Sequence, residues 1–178
     1  MAYTEEEKKE ELKRLAEFLN SVEIPAEVLE KGPYAAAVSL LISLPTVEDQ
    51  ADLTEENAAE KLHLATAHLV DLEEPATVKY LSLYTQVRAD AGVLSESELL
   101  SLINEINQGV RVGHFYCSRV ETGERMVQYR ASVMGAAELP LDEGVAASAV
   151  LEMGIGYDHM KSVLTESAHS EKREGEKE

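Results

Sequence analysis

The feature that most constrains this fold is a change in hydrophobic period at Gly109. Before Gly109, apolar residues recur at the spacing of one helix face, at Leu99, Leu100, Ile103 and Ile106. After it, apolar and polar side chains alternate along residues 110–120 and again along residues 126–133, and this period of two is typical of strands. The sequence therefore predicts a helix that is followed by two β-strands.

Capping and turn residues mark the limits of these three elements. Ser95 and Glu98 have the spacing of a capping box, in which each side chain accepts a hydrogen bond from the backbone N–H of the other residue. Gly109 is placed to end the helix. Residues 121–124 include Gly123 and connect the two strands, so we expect a hairpin here.

The rest of the chain supplies further strands and two more helices. A capping box of Thr4 and Glu7 begins a helix over residues 4–21, and Pro25 prevents its continuation. Further strands are predicted at residues 26–31, 34–44, 64–72 and 77–88. Asp142 is a candidate N-cap for a last helix. The buried stripe of that helix is predicted at Val145, Ala149, Met153, Met160 and Leu164.

Three stretches have more than one interpretation. Residues 62–72 fit a strand, but they also fit an extension of a short helix predicted at residues 55–61. The alanines of residues 34–44 make a helix the main alternative there. Gly154 and Gly156 each weaken the last helix by about 1 kcal/mol relative to Ala, so they mark either a kink or a close contact.

The order of these elements predicts an α+β fold with a mostly antiparallel sheet that helices cover. The length of 178 residues suits one domain, which we place at residues 1–165. A domain of this size buries enough surface to be stable without a disulfide or a metal. Residues 166–178 are charged and lack apolar side chains that would anchor them, so we expect a disordered tail.

The charge balance restricts the class of partner. The formal net charge of −18 repels nucleic-acid phosphates and anionic membranes, and it favours basic or apolar partners. No apolar stretch is long enough to span a bilayer, and the first residues lack the core of a signal peptide. Cys117 is the single cysteine, so no disulfide can form within the chain. We expect a cytoplasmic protein that binds neither nucleic acid nor membranes.

No group of side chains has the spacing of a catalytic, cofactor or metal site. His114 and Cys117 point to opposite faces of the predicted strand, which argues against a Cys–His nucleophile. His63, His68 and Asp71 lack the four-residue histidine spacing of a zinc-binding helix. The sequence therefore predicts no enzyme activity, no cofactor and no metal.

Basic side chains concentrate on the predicted hairpin of this acidic chain. Cross-strand pairing with Glu121 and Glu124 would explain them structurally. The functional interpretation is a docking surface for an acidic segment, or for the acidic helix of a second subunit. Tyrosines on the same strands suit a protein interface, because a rigid ring buries much area while its hydroxyl stays hydrated. The candidate protein-binding residues are therefore Arg111, Arg119, Arg125, Arg130, Tyr116 and Tyr129.

Residues 78–164 resemble the YbjN family, whose members adopt the fold of type III secretion chaperones. The resemblance comprises Tyr80-Leu81-Ser82-Leu83-Tyr84, a helix with Ile103-Asn104-Glu105-Ile106-Asn107, strands with Phe115 and with Tyr129-Arg130-Ala131, and a long closing helix. It implies a non-enzymatic regulator that forms a homodimer, with fold relatives that bind extended segments of other proteins.

Together these observations lead us to expect a regulatory or chaperone-like protein that binds another protein as a homodimer. Two alternatives come from other classes. One is a module that senses a small molecule, and the other is a small hydrolase with a pocket near His114 and Arg130.

Overall fold

The computed structural model describes residues 4–32, 35–46, 63–70, 77–92, 94–119 and 122–175, with side chains described up to residue 167. Within these ranges the helices are α1 (Glu5–Ser21), α2 (Glu96–Asn107) and α3 (Glu143–Gly175). The strands are β1 (Ala26–Leu29), β2 (Ser39–Ser43), β3 (Leu64–Val70), β4 (Val78–Gln86), β5 (His114–Arg119) and β6 (Arg125–Ala136).

The strands form one six-stranded sheet in the order β1-β2-β3-β4-β6-β5, and each neighbouring pair is antiparallel. β6 lies between β4 and β5, so that Ala131 is opposite Leu83 and Tyr129 is opposite Phe115. Gly123 in the β5–β6 hairpin has a φ of 87°, a conformation that glycine adopts without strain. The predicted α+β fold with an antiparallel sheet is confirmed.

One face of the sheet carries the hydrophobic core. The period of two places Leu83, Phe115 and Tyr129 on this face, where all three are buried. The apolar stripes of the described helices join the same core through Leu15, Leu99, Met153 and Met160. We call the other side of β2–β6 the open face. It bears the residues that alternate with those of the core, including Thr66, His68, Tyr84, Tyr116, Arg130 and Ser132.

A buried ion pair connects α1 to the sheet and to the start of α3. Glu11 accepts a hydrogen bond from Lys79 Nζ at 2.5 Å and another from the Leu141 backbone N–H at 2.6 Å. Arg14 extends this cluster to Glu143, the first residue of α3. Since buried charges need partners to be tolerated, these contacts restrict where α1 can lie.

The two glycines of α3 make close contacts, which is one of the two roles predicted for them. A Cβ atom on Gly154 would lie 2.6 Å from the Pro45 carbonyl oxygen, so a side chain does not fit there. Gly156 lies on the edge-to-face pair of Phe115 and Tyr129, whose ring centroids are 4.5 Å apart. The missing side chain of Gly154 lets α3 lie close to Pro45, just after β2.

Asn107, the last residue of α2, covers part of the outer edge of β5. Its side-chain oxygen accepts a hydrogen bond from the Phe115 N–H at 2.7 Å, and its side-chain nitrogen donates to the Phe115 carbonyl at 3.0 Å. Edge strands present unpaired backbone groups that can pair with another chain. At Phe115, the Asn107 amide takes the place of that neighbouring strand.

Two predicted strand boundaries are wrong. β5 begins at His114 and not at residue 110, because Gly113 has a φ of 80° and a Cβ there would lie 2.3 Å from the Arg130 carbonyl oxygen. β2 begins at Ser39, whereas the prediction began at Tyr34, which lies outside the described residues. β3 confirms the strand interpretation over Leu64–Val70. The short helix predicted at residues 55–61 also lies outside the described ranges.

α3 begins after its predicted N-cap and extends to Gly175. The Val145 N–H donates to Asp142 Oδ1 at 2.9 Å, which confirms Asp142 as the N-cap. α3 continues to Gly175, whereas we predicted a disordered tail from residue 166. The boundaries of the single domain stay a prediction. None of the described helices is both long enough and apolar enough to cross a membrane.

Candidate functional site

A groove of about 600 Å³ lies between α2 and α3. Its apolar lining is formed by Leu102, Ile106, Val110, Ile155, Gly156 and Val163. Ile155 is 63% exposed, so this apolar side chain is accessible to a ligand in the groove. Apolar side chains that line a concave surface of this size are typical of a binding site.

The groove follows from how the two helices sit on the sheet. α2 packs against β5, and α3 packs against the neighbouring strand β6. Ile155, His159 and Val163 recur at four-residue spacing, so they form one line along α3 that faces the groove. Gly156, next to this line, also lines the groove.

The rim of the groove is polar and carries charges of both signs. Arg111 Nη1 lies 3.5 Å from Glu152 Oε1, and the Arg111 side chain is 82% exposed. An ion pair this exposed contributes little to stability, so Arg111 can turn toward a bound molecule at small cost. Glu105 and His159 complete the rim.

Two of the predicted binding arginines instead fasten the hairpin to α2. Arg119 forms an ion pair with Glu96 in the first turn of α2. Arg125 donates a hydrogen bond to the Leu94 carbonyl at 2.5 Å. The sequence predicted Glu121 and Glu124 as cross-strand partners, but the described partners of these arginines are Glu96 and the Leu94 carbonyl. Glu121 lies outside the described residues. These contacts fix the position of α2, and with it one wall of the groove.

The remaining predicted residues lie in three different places. Arg111 is on the groove rim, while Arg130 and Tyr116 are on the open face. Tyr129 is buried in the core beneath α3, where it cannot contact a partner. Burial, with a smaller contribution from the Glu152 charge, raises the pKa of Tyr129 to about 12. The structure therefore does not bring the six predicted residues together in one patch.

The open face carries a cluster of polar and aromatic side chains. Arg130 lies between Tyr84 and His114 in the cross-strand register, and the Gln128 amide donates a hydrogen bond to the Tyr84 hydroxyl. Burial and the neighbouring Tyr116 raise the pKa of Tyr84. Burial and the positive charge of Arg130 lower the pKa of His68, which favours its neutral form.

The structure also contains a buried polar contact that the sequence pattern did not reveal. The Tyr157 hydroxyl lies 2.7 Å from His63 Nδ1 and accepts a hydrogen bond from the Arg88 N–H. The two rings are tilted by 34° to each other, and their centroids are 4.4 Å apart. Tyr157 and His63 are far apart in the sequence, so no local spacing could have indicated the pair. It joins α3 to His63, the residue immediately before β3.

The described side chains provide no metal-binding group. Within those ranges, no three His, Cys, Asp or Glu residues are close enough to bind one ion together. His63 is in the core beside Tyr157, while His68 is on the open face. Cys117 lies on the core side of β5, and His114 lies on the open face.

Comparison with known proteins gives a structural similarity. No family model and no curated protein matches this chain. Among solved structures, the chain is similar to the crystal structure of YbjN from E. coli, a proposed transcription regulator, with 11% sequence identity and a TM-score of 0.48. The match covers 85% of this chain and 91% of that chain. It is a similarity to the YbjN fold and does not assign this chain to a family.

Proposed function

We propose that this protein is a non-enzymatic regulatory protein that acts as a homodimer and holds a segment of another protein in the groove between α2 and α3. The observation that supports this proposal is the groove itself, which combines an apolar floor with an Ile155 side chain that is 63% exposed. A groove between two helices suits the apolar face of a third, which inserts side chains at helical spacing.

The charge of the protein indicates what kind of segment fits. The net charge of −18 attracts positively charged partners and accelerates their association. Glu105 and Glu152 lie on the groove rim, where they can pair with Lys or Arg side chains beside the bound apolar face. The proposed partner is therefore a basic amphipathic helix.

A small-molecule ligand is the second candidate, and the groove volume supports it. Sites for small ligands are about 300–1,000 Å³ and mostly apolar, with a few polar groups. The hydrolase alternative near His114 and Arg130 gains no such support, because neither residue lines the groove. The basic residues on the rim of the groove are His159 and Arg111.

The proposal can be tested with two synthetic peptides that share a leucine face and carry either lysine or glutamate on the opposite face. We expect the lysine peptide to bind, with Ile155→Ser weakening its affinity at least tenfold, and the glutamate peptide not to bind. Fluorescence anisotropy of labelled peptides measures both affinities.

Leu139→Ser is the matched control, since Leu139 is also 63% exposed but lies outside the groove. A lysine peptide with scrambled leucines measures attraction by charge alone. The proposal fails if the ordered and scrambled peptides bind equally, or if Leu139→Ser weakens binding as much as Ile155→Ser. Stabilisation by a single metabolite that Ile155→Ser abolishes, measured by thermal shift, would support the small-molecule alternative.

A further inference from the structure

The open face lacks acidic residues. The chain contains 34 Asp and Glu residues, yet the described residues of β2–β6 that point to the open face include none of them. The acidic side chain nearest in register is Glu27, on the edge strand β1. The acidic side chains that the structure describes therefore lie outside the open face of β2–β6.

This distribution matters when two copies of the chain meet. Two proteins that each carry a charge of −18 repel each other, and carboxylates brought within contact distance would add to this repulsion. An acid-free surface avoids these close like-charge contacts. The open face of the described strands is such a surface, so a second copy can approach it without these contacts.

The side chains of the open face are of the kind found in protein interfaces. Tyrosine and methionine are enriched in such interfaces, while aspartate, glutamate and lysine are depleted. The open face carries Tyr80, Tyr84, Tyr116, Met126 and Met134. Met134 is 62% exposed, which leaves it available to a partner.

Anionic partners fit this face less well than a second copy does. Nucleic acids and acidic peptides need several cations, whereas the permanent positive charge on the described open face comes from Arg130 alone. His68 and His114 are its other bases, and the lowered pKa of His68 keeps that side chain neutral near pH 7. The described open face therefore carries no acidic side chain and a single permanent positive charge.

The size of the face is of the same order as one side of a protein interface. Five strands at a spacing of about 4.8 Å give a width of about 24 Å, and strands of six or seven residues give a length of about 20 Å. The resulting plan area is on the order of 500 Å², before side-chain relief is added. One side of a standard interface buries about 800 Å².

We infer that the open face is the surface through which two copies of this protein pack against each other. This inference rests on the homodimer in the proposed function, and it adds the interface. The groove between α2 and α3 faces away from this contact, so each subunit keeps its own binding site.

The test adds one charge to the centre of the face. Ser132 is exposed on β6, opposite Ser82. Sedimentation equilibrium should give about twice the 19.6 kDa chain mass for the wild type, and Ser132→Glu should raise the dimer dissociation constant at least tenfold. Ser132→Gln has nearly the same size without the charge and should dimerise like the wild type. Met134→Glu and Met134→Gln form a second pair, and circular dichroism verifies folding of each variant.

Ser101→Glu adds the same charge to the exposed side of α2 and should leave dimerisation unchanged. If the wild type dimerises and both glutamate variants dimerise equally well, the assignment of the interface is wrong and the proposed homodimer stands. A wild type that is monomeric at all concentrations would contradict both the interface and the proposed homodimer. Peptide binding in the groove is measured in a separate experiment. Binding of a labelled single-stranded DNA that Arg130→Gln abolishes would overturn the inference in favour of an anionic partner.

Discussion

At the scale of single residues, His68 reports on the electrostatics of the open face. Burial and the Arg130 charge lower its pKa from the ordinary value of 6.5. We expect Arg130→Gln to raise the His68 pKa, because the positive charge that opposes protonation is removed while the burial remains. An NMR titration of the His68 ring protons measures this pKa.

Arg111→Gln is the control for this titration, because Arg111 lies on the groove rim and not on the open face. A His68 pKa that Arg130→Gln leaves unchanged would contradict the described electrostatics. The same shift links pH to stability. Since the unfolded chain binds a proton at His68 more readily than the folded chain does, the His68 contribution to stability decreases as the pH falls below about 6.5.

Single residues also show where sequence reasoning succeeds and where it stops. The period of two along residues 77–88 and 126–133 separates Leu83 and Val133 from the polar side chains next to them, because alternation fixes which residues share a face of a strand. Both residues are buried in the core. The same alternation placed Tyr129 with these core residues, but its residue type suggested an interface. The burial of Tyr129 depends on α3, whose Gly156 packs against the Tyr129 ring from a later part of the chain.

At the scale of elements, the position of α3 depends on Gly154. Replacing a helical glycine with alanine gains about 1 kcal/mol from helix propensity. At Gly154 this gain is opposed by a clash with the Pro45 carbonyl at 2.6 Å. We expect Gly154→Ala to reduce the free energy of unfolding by about 1–3 kcal/mol, as for other overpacked sites. Urea denaturation measures the change.

Gly156→Ala provides the matched comparison in the same helix. Its new Cβ would lie 3.4 Å from the rings of Phe115 and Tyr129, close to an ordinary contact distance. We expect this variant to be as stable as the wild type or slightly more stable. Equal destabilisation by both substitutions would show that helix-wide effects, and not the Pro45 contact, determine the result.

The junction of α2 and β5 depends on Asn107. Asn107→Ala removes both hydrogen bonds to the Phe115 backbone, so we expect a loss of about 1–3 kcal/mol in the free energy of unfolding. Asn104→Ala is the control on the same helix, because Asn104 is exposed. Hydrogen exchange at the Phe115 amide should accelerate only in Asn107→Ala. Unchanged exchange in that variant would show that the contact does not protect this edge.

Element boundaries were predictable wherever a local signal marks them. The capping boxes at Thr4 and Ser95 gave the starts of α1 and α2, because such caps involve only neighbouring residues. The start of β5 was missed because the backbone at Gly113 turns to a positive φ that alternation does not reveal. The groove itself was not predicted, since it depends on the distance between two helices.

At the scale of the whole molecule, the protein separates two kinds of surface. The groove offers apolar side chains within a rim that carries charges of both signs, while the described open face offers tyrosines and methionines without acid. Both lie on a single sheet, which keeps them on opposite sides. A partner segment in the groove therefore leaves the proposed dimer contact undisturbed, and Ile155→Ser should leave the dimer dissociation constant unchanged.

The central claim is that the groove between α2 and α3 holds an apolar helical segment. Its most direct test is an NMR titration with the leucine–lysine peptide that follows methyl signals of the whole protein. The account predicts that the largest shifts occur at Ile106, Ile155 and Val163, while Met126 and Met134 on the open face do not shift. Shifts confined to the methionines, or an absence of shifts at saturating peptide, would contradict it.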